Sequence, residues 1–296
     1  MILRQLRDTA EDIEAVRHVA TAAFTVLHAA MGDPPEPEPT PEQHAREDSL
    51  NRHFVRHDQQ GCWIAHDAEG RPAGAALASR REDTWGLSLL VVAPGAQGKG
   101  IGRALLERTL AYGEGCSRGI ISGSRDPRAA RAYWAAGFAL HPGMRLQGQV
   151  DPSRLTGPDG PVVEGGPRHR DLMDGVDRQL RGGAHGPDHD ELLRHHRLLT
   201  ADDRAGRGYC YVDMSPGGIH LMGLSATTEA VAGRLLTAAL RDVPAGATVK
   251  IPNVTAEQRW AVDIALTAGL EPAHGGYLCL RGMRPPVGFV PSGQFL

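Results

Sequence analysis

In the stretch Val91-Val-Ala-Pro-Gly-Ala-Gln-Gly-Lys-Gly-Ile-Gly-Arg-Ala-Leu-Leu106, Gln97, Gly98, Lys99, Gly100, Gly102 and Arg103 have types and spacing that could do chemistry. An apolar run enters this turn and an amphipathic helical pattern leaves it. The segment Gln97 to Arg103 therefore sets successive backbone N–H groups at a helix N-terminus, where a diphosphate is favoured. Glycines at 98, 100 and 102 would let a ligand come close to the backbone. A triphosphate loop needs Gly-x-x-x-x-Gly-Lys-Ser/Thr, and Gly100 stands where the magnesium-binding hydroxyl should be. A dinucleotide loop needs Gly-x-Gly-x-x-Gly, and Gly98-x-Gly100-x-Gly102 is one residue short, with no repeating βαβ pattern behind it. The diphosphate of coenzyme A remains, beside the plain reading of a tight strand-to-helix turn.

A second constellation follows in Asp126-Pro-Arg-Ala-Ala-Arg-Ala-Tyr-Trp-Ala-Ala-Gly-Phe138. Asp126 suits a helix N-cap and Pro127 the first helical turn. Tyr133 is either a core aromatic with its hydroxyl at the rim or a proton donor.

Taken in order, the chain shows Val92-x-Pro94, Gln97-x-x-Gly100-x-Gly102, a helix, a short strand, then Ala129-x-x-x-Tyr133-x-x-x-Gly137-Phe138. Over residues 1–148 this resembles the GCN5-related N-acetyltransferase (GNAT) superfamily. Its acetyl-CoA motif is Gln/Arg-x-x-Gly-x-Gly/Ala, and its next helix often carries a Tyr ahead of Gly-Phe. The resemblance implies that the backbone of Leu90, Val91 and Val92 pairs with the pantetheine arm of acetyl-CoA, and that an N–H near Leu90 faces the thioester oxygen. Gln97, Gly98, Lys99, Gly100, Ile101, Gly102 and Arg103 would hold the pyrophosphate, and Tyr133 would protonate the departing thiolate. No metal is implied. Two departures stand out. Asp126 occupies a position where the family often has a cofactor-contacting Asn. Ser88 and Leu89 stand where many members place a Glu as general base. Glu82 and Asp83 would lie on the order of 17 Å up the strand, so the base is a water relay or comes from His28, His53 or the second domain, unless the acceptor amine has a low pKa.

These groups need elements to position them. Residues 11–31 carry a helical period, and "GDPPEPEPTPEQ" (32–43) reads as a surface loop. Helical patterning returns at 45–55, and two strands flank the turn signal Asp67–Gly70. "TWGLSLLVV" (84–92) is apolar on both faces, as a buried strand is. A helix over 100–112, a strand at 119–124, a helix ending at Gly137 and a last strand complete residues 1–150. Residues 151–167 concentrate Pro and Gly and read as a linker. A second unit fills 168–296, with strands near 208–214 and 218–224 and helices near 227–240 and 255–268.

That second unit reads as a degenerate copy. "GRLL" (233–236) repeats "GRALL" (102–106), and "LTAGL" (266–270) repeats "WAAGF" (134–138), at offsets of 131 and 132. Gln97 then maps to Thr228, Gly98 to Glu229, Gly100 to Val231 and Tyr133 to Ala265, a catalytically silent set. The run "RGGAHGPDHDELLRHH" (181–196) reads as a solvated turn or as a wall of the acceptor pocket rather than a metal site. The apolar "RPPVGFVPSGQFL" at the end should dock as a strand or belt.

Composition sets the outer limits. The chain has 296 residues, 41% hydrophobic, with a net charge of −3, which advertises neither nucleic acid nor an anionic membrane as partner. Four separated cysteines suit a reducing compartment, and no apolar run approaches a membrane span. The expectation is an α/β protein of two acetyltransferase-like domains, each a mixed central sheet flanked by helices, in the cytoplasm. The first domain would transfer acetyl from acetyl-CoA to a primary amine, of a small molecule by preference, through direct attack. Open alternatives are a non-catalytic acyl-CoA-binding regulator, a longer acyl chain, or a protein amine as acceptor. A homodimer also stays open.

Overall fold

The computed structural model describes all residues except 35–37 and 216–217; 35–37 belong to the expected Pro/Glu loop, which to that extent lies outside the described residues. The chain forms two compact units, residues 1–80 with 85–116, and residues 81–84 with 117–296.

The first unit contains β1 (Ile2–Gln5), α1 (Ala10–Ala30), α2 (Pro41–His57), β2 (Cys62–His66), most of β3 (Pro72–Arg81) and β4 (Thr84–Val92), and α3 (Ile101–Tyr112). Its strands lie in the order β1-β2-β3-β4. Local sequence accounts for the ends of its helices. Thr9 caps α1 by accepting from the Asp12 N–H, and Thr40 with Gln43 forms a capping box on α2. Asp12 is buried and ion-paired to Arg4 at 2.6 Å. Burial acts to raise its carboxyl, but the hydrogen bonds from Arg4 and Arg7 hold it far below the usual range. The core on the α3 side joins Ile101 and Leu105 to Ala65, Ala73 and Ala76. Small residues on the strands let the helix lie close. Trp85 is fully buried and donates its indole N–H to Thr109 O at 2.9 Å. A Cβ at Gly113 would meet the Trp85 ring at 2.4 Å, so glycine is required there.

The second unit contains β5 (Arg118–Gly123), α4 (Pro127–Ala135), β6 (Ala139–Gln149), β7 (Val163–Glu164), α5 (Arg170–Arg181), α6 (Asp188–His195), β8 (Arg197–Asp203), β9 (Gly206–Ser215), β10 (Gly218–Ala226), α7 (Glu229–Arg241), β11 (Thr248–Val254), α8 (Arg259–Thr267), β12 (Glu271–Arg281) and β13 (Phe289–Val290). Its strand order is β5-β12-β6-β11-β10-β9-β8-β7, with β13 on β10. The expected docking of the last segment is seen in β13, which pairs antiparallel with β10, and in Phe295, which is buried.

The repeat is visible in the elements. Helices α4 and α8 correspond at both ends with an offset of 132 (127 to 259, 135 to 267). So do strands β6 and β12 (139 to 271, 149 to 281). These last strands are exchanged. β12, from the second copy, lies antiparallel to β5 of the first, while β6 pairs with β11 of the second copy. The two exchanged strands also pair with each other. Ser122 and Asn253, repeat equivalents at offset 131, meet across this junction, with Ser122 Oγ donating to Asn253 Oδ1 at 2.7 Å.

Candidate active site

The turn after β4 is built by its own side chains. Gln97 donates from Nε2 to Val92 O at 3.1 Å, and Lys99 Nζ donates to Gly95 O at 3.0 Å. Gly98 and Gly100 sit in the left-handed region at φ +77° and +81°, which L residues reach only at a cost. A Cβ at either would meet nothing within 4 Å, so space lies open beside both. Gly102 differs, because that space is taken by Val92 Cγ2 at 3.4 Å. Gly100 is the N-cap of α3 and supplies no side-chain hydrogen bond to it. The first N–H groups of α3 thus face outward without a side-chain acceptor. Arg103 is exposed and held by Glu107 at 2.8 Å, and Ile101 is buried in the core.

β4 is buried over its first half, while Ser88, Leu89 and Leu90 are only half-buried and Val91 is buried again. No carboxylate lies on that half-exposed stretch. Glu82 and Asp83 are committed to structure. Glu82 binds Arg178 at 2.8 Å, and Asp83 accepts from Ser117 N at 2.8 Å and pairs with Arg118. Of the histidines weighed as base, His28 is half-buried on α1, and His53 is buried with its ring 4.6 Å from that of His57.

In the second unit, Asp126 caps α4 by accepting from Arg128 N at 2.8 Å and also binds the Arg128 guanidinium at 2.7 Å. Burial works to raise its carboxyl, but Arg128 holds it below the usual range. The place often filled by a cofactor-contacting amide is therefore a capping carboxylate. Gly137 takes φ +88° just past the helix end, and Phe138 N returns to Tyr133 O at 3.1 Å. Tyr133 is 5% exposed. Burial pushes its phenol well above the ordinary tyrosine value, with Cys279 and Asp126 adding to the shift. An ordinary tyrosine is already protonated at neutral pH, and this setting favours that form further. Turn and tyrosine belong to different units.

Two residues beneath Tyr133 escaped the sequence reading. A Cβ at Gly123 would lie 3.3 Å from Tyr133 Cε2 and 3.3 Å from Cys279 Sγ. Gly123 lies in the strand expected at 119–124 and carries no other signal in the sequence. Cys279 is 156 positions from Gly123 in the chain, and only the strand exchange brings it there.

The second copy handles the same junction differently. Residues 93–99 separate β4 from the N-cap of α3, but residue 227 alone separates β10 from Thr228, the N-cap of α7. The loop has been cut out rather than only substituted. Thr228 caps α7 by accepting from Val231 N at 3.3 Å and donates to Ala205 O at 2.9 Å. The turn between β8 and β9 packs onto this end, where a Cβ at Gly206 would meet Thr227 Oγ1 at 2.7 Å. Ala265, the equivalent of Tyr133, is buried in the core.

The His/Asp run is not a solvated turn. His185 and His189 are 4% and 0% exposed and surround Asp177 of α5. The Asp177 carboxylate accepts from His185 N at 3.1 Å, His185 Nδ1 at 2.7 Å, His189 Nε2 at 3.1 Å and Tyr209 OH at 2.5 Å. Asp188 forms a buried ion pair with Arg81 at 2.5 Å. His185, Asp188 and His189 are buried because they face Asp177 and Arg81, partners whose positions the sequence does not reveal. Among the described residues, Asp177, His185 and His189 are the one trio of such side chains with ligand atoms converging within 4.8 Å. Protein donors already fill the carboxylate, and the Arg181 guanidinium acts on both Asp177 and His185. These features suit a hydrogen-bonded hub more than a cation site.

Residues 23–148 match the profile of the acetyltransferase (GNAT) family. An acetyltransferase-like protein from Pyrococcus horikoshii has a similar structure, with a TM-score of 0.72 at 17% identity over 100% of this chain and 95% of that one. A tandem GNAT protein from the clavulanic acid biosynthesis pathway matches at TM-score 0.57 and 16% identity, over 96% of this chain and 99% of that one. A GCN5-related N-acetyltransferase from Sphaerobacter thermophilus gives 0.57 and 15%, covering 98% of each. No helix among the described residues is long and apolar enough to cross a membrane. Residues 23–148 thus carry a segment of the GNAT acetyltransferase family, and the chain as a whole shares the fold of these acetyltransferases, a tandem GNAT protein among them.

Proposed function

We propose that the first copy binds acetyl-CoA and transfers its acetyl group to a primary amine of a small molecule by direct attack, while the second copy does not turn over. The observation that carries this reading is the turn at 97–100. Two left-handed glycines stand beside open space, and the α3 N-terminus has no side-chain cap, which suits a pyrophosphate. Leu90, Val91 and Val92 would pair with the pantetheine arm, and Tyr133 would give its proton to the thiolate leaving group. A neutral, buried phenol fits that task. No carboxylate stands on the half-exposed part of β4, so the amine arrives already neutral or loses its proton to water. Calorimetric titration with acetyl-CoA, followed by an amine screen read as free-thiol release, tests the reading. Tyr133→Phe should lower kcat by roughly 10²–10⁴ with little change in acetyl-CoA affinity. Absence of acetyl-CoA binding overturns the proposal. Binding without turnover of any amine would favour an acyl-CoA-responsive regulator.

A further inference from the structure

On the side of β5 that faces α4, the strand carries Gly119, Ile121 and Gly123. A Cβ at Gly119 would meet the Phe138 ring at 2.9 Å, and one at Gly123 would meet Tyr133 Cε2 and Cys279 Sγ, each at 3.3 Å. Two aromatic rings thus rest on bare backbone. The neighbouring strand is β12, with Cys279 opposite Ile121 and Tyr277 opposite Gly123. Leu278 and Leu280 belong to a different cluster, with Ile120, which leaves Cys279 on the tyrosine side. Cys279 is fully buried, and its S–H reaches Tyr277 O at 3.7 Å. Burial pushes its thiol up to about 12, so it is neither a nucleophile nor a proton carrier at working pH. What remains is its shape, a small polarizable sulfur that borders the same space over Gly123 as the Tyr133 ring, and sulfur near an aromatic ring is favourable.

We propose that Cys279, carried into the first copy by the exchanged strand of the second, is a positioning residue that holds the Tyr133 ring over Gly123. The inference rests on Tyr133 being the acid of the proposed transfer. It gives the second copy a task in the first copy's chemistry without any active site of its own. An acid displaced by a fraction of an ångström protonates its leaving group poorly, while cofactor affinity, which depends on residues elsewhere, is kept.

The test uses the full chain labelled with fluorotyrosine, which has five tyrosines. The fluorine resonance missing from Tyr133→Phe identifies Tyr133. In Cys279→Ala that line should shift or broaden, while the lines of the remote Tyr112, Tyr209 and Tyr211, unchanged, report an intact fold. Gly123→Ala, whose Cβ would come within 3.3 Å of both the ring and the sulfur, should move the same line. Turnover is read with hydroxylamine, a small nucleophile unprotonated at neutral pH, as thiol release above the enzyme-free blank. Cys279→Ala should lower kcat about tenfold with the acetyl-CoA KM within about twofold, and Cys279→Ser should restore most of the loss. An unmoved Tyr133 line, or unchanged kcat in Cys279→Ala while Tyr133→Phe is inactive, overturns the positioning role. Full activity in Tyr133→Phe, or no turnover in the unmodified protein, overturns the transferase reading instead, and the resonance alone then decides for Cys279.

Discussion

At Gly100 a backbone that favours glycine, with φ +81°, adjoins open space. Gly100→Glu would strain the backbone and set a carboxylate beside the uncapped α3 N–H groups. We expect acetyl-CoA affinity to fall on the order of 100-fold or more, since unlike the native turn the variant repels a diphosphate. Gly102 provides the control. It is helical and contacts Val92, so Gly102→Ala should bind acetyl-CoA within about threefold of the parent, a single helix-interior contact being worth little. Calorimetry on both variants, with circular dichroism to confirm folding, decides. Equal affinities for Gly100→Glu and the parent would remove the turn from the binding site.

Among the elements, what could be read from the sequence was local. The caps of α1, α2 and α4 depend on Thr9, Thr40 and Asp126 and their immediate neighbours. The glycine turn and the Tyr-Gly-Phe spacing likewise lie within a few dozen residues. What stayed hidden depends on distant pairing. The exchange of β6 and β12 leaves no mark in either strand's pattern, and so Cys279 could not be placed beside Tyr133. The His/Asp run looked solvated because its partners Asp177 and Arg81 lie outside it. The duplication mapping held for α8 but not for the loop before α7, where residues are missing and a fixed offset cannot apply. The Asp177 hub also makes a stability prediction. Burial acts to raise the carboxyl, yet His185 and His189 hold it well below its ordinary value. A depressed folded-state value stabilises above the unfolded pKa of ~3.9 and is lost as pH falls below it. Asp177→Asn, which turns an N–H₂ toward some of these donors, should cost about 2–4 kcal/mol at neutral pH. In urea titrations run between neutral pH and about pH 3, that cost should shrink below ~4; a pH-independent difference would mean that the charge on Asp177 does not hold the hub together.

For the molecule as a whole, the proposed function predicts one acetyl-CoA per chain although the fold appears twice. Diphosphate binding needs uncapped helix N–H groups and room beside them. In the first copy, residues 93–99 and the N-cap Gly100 supply both. In the second copy the connection is reduced to residue 227, the Thr228 hydroxyl takes Val231 N, and Glu229 adds a negative charge to the first turn. The β8–β9 turn then packs over Thr227 and Thr228. No phenol follows, since Ala265 occupies the position of Tyr133 and is buried in the core. A cleft of about 440 Å³ does remain at this end of α7, lined by Gln179, Arg204, Arg207, Thr227 and Thr228. With the capping hydroxyl engaged and a carboxylate within a few ångströms, the site loses several kcal/mol, enough to erase a micromolar affinity. The second copy is then retained for its core and for β12, which completes the sheet around β5 and β6. Titration of the full chain with acetyl-CoA should therefore saturate at one equivalent, and Gly100→Glu should leave none. Two equivalents in the parent, or one persisting in Gly100→Glu, would show that the α7 cleft binds the cofactor after all.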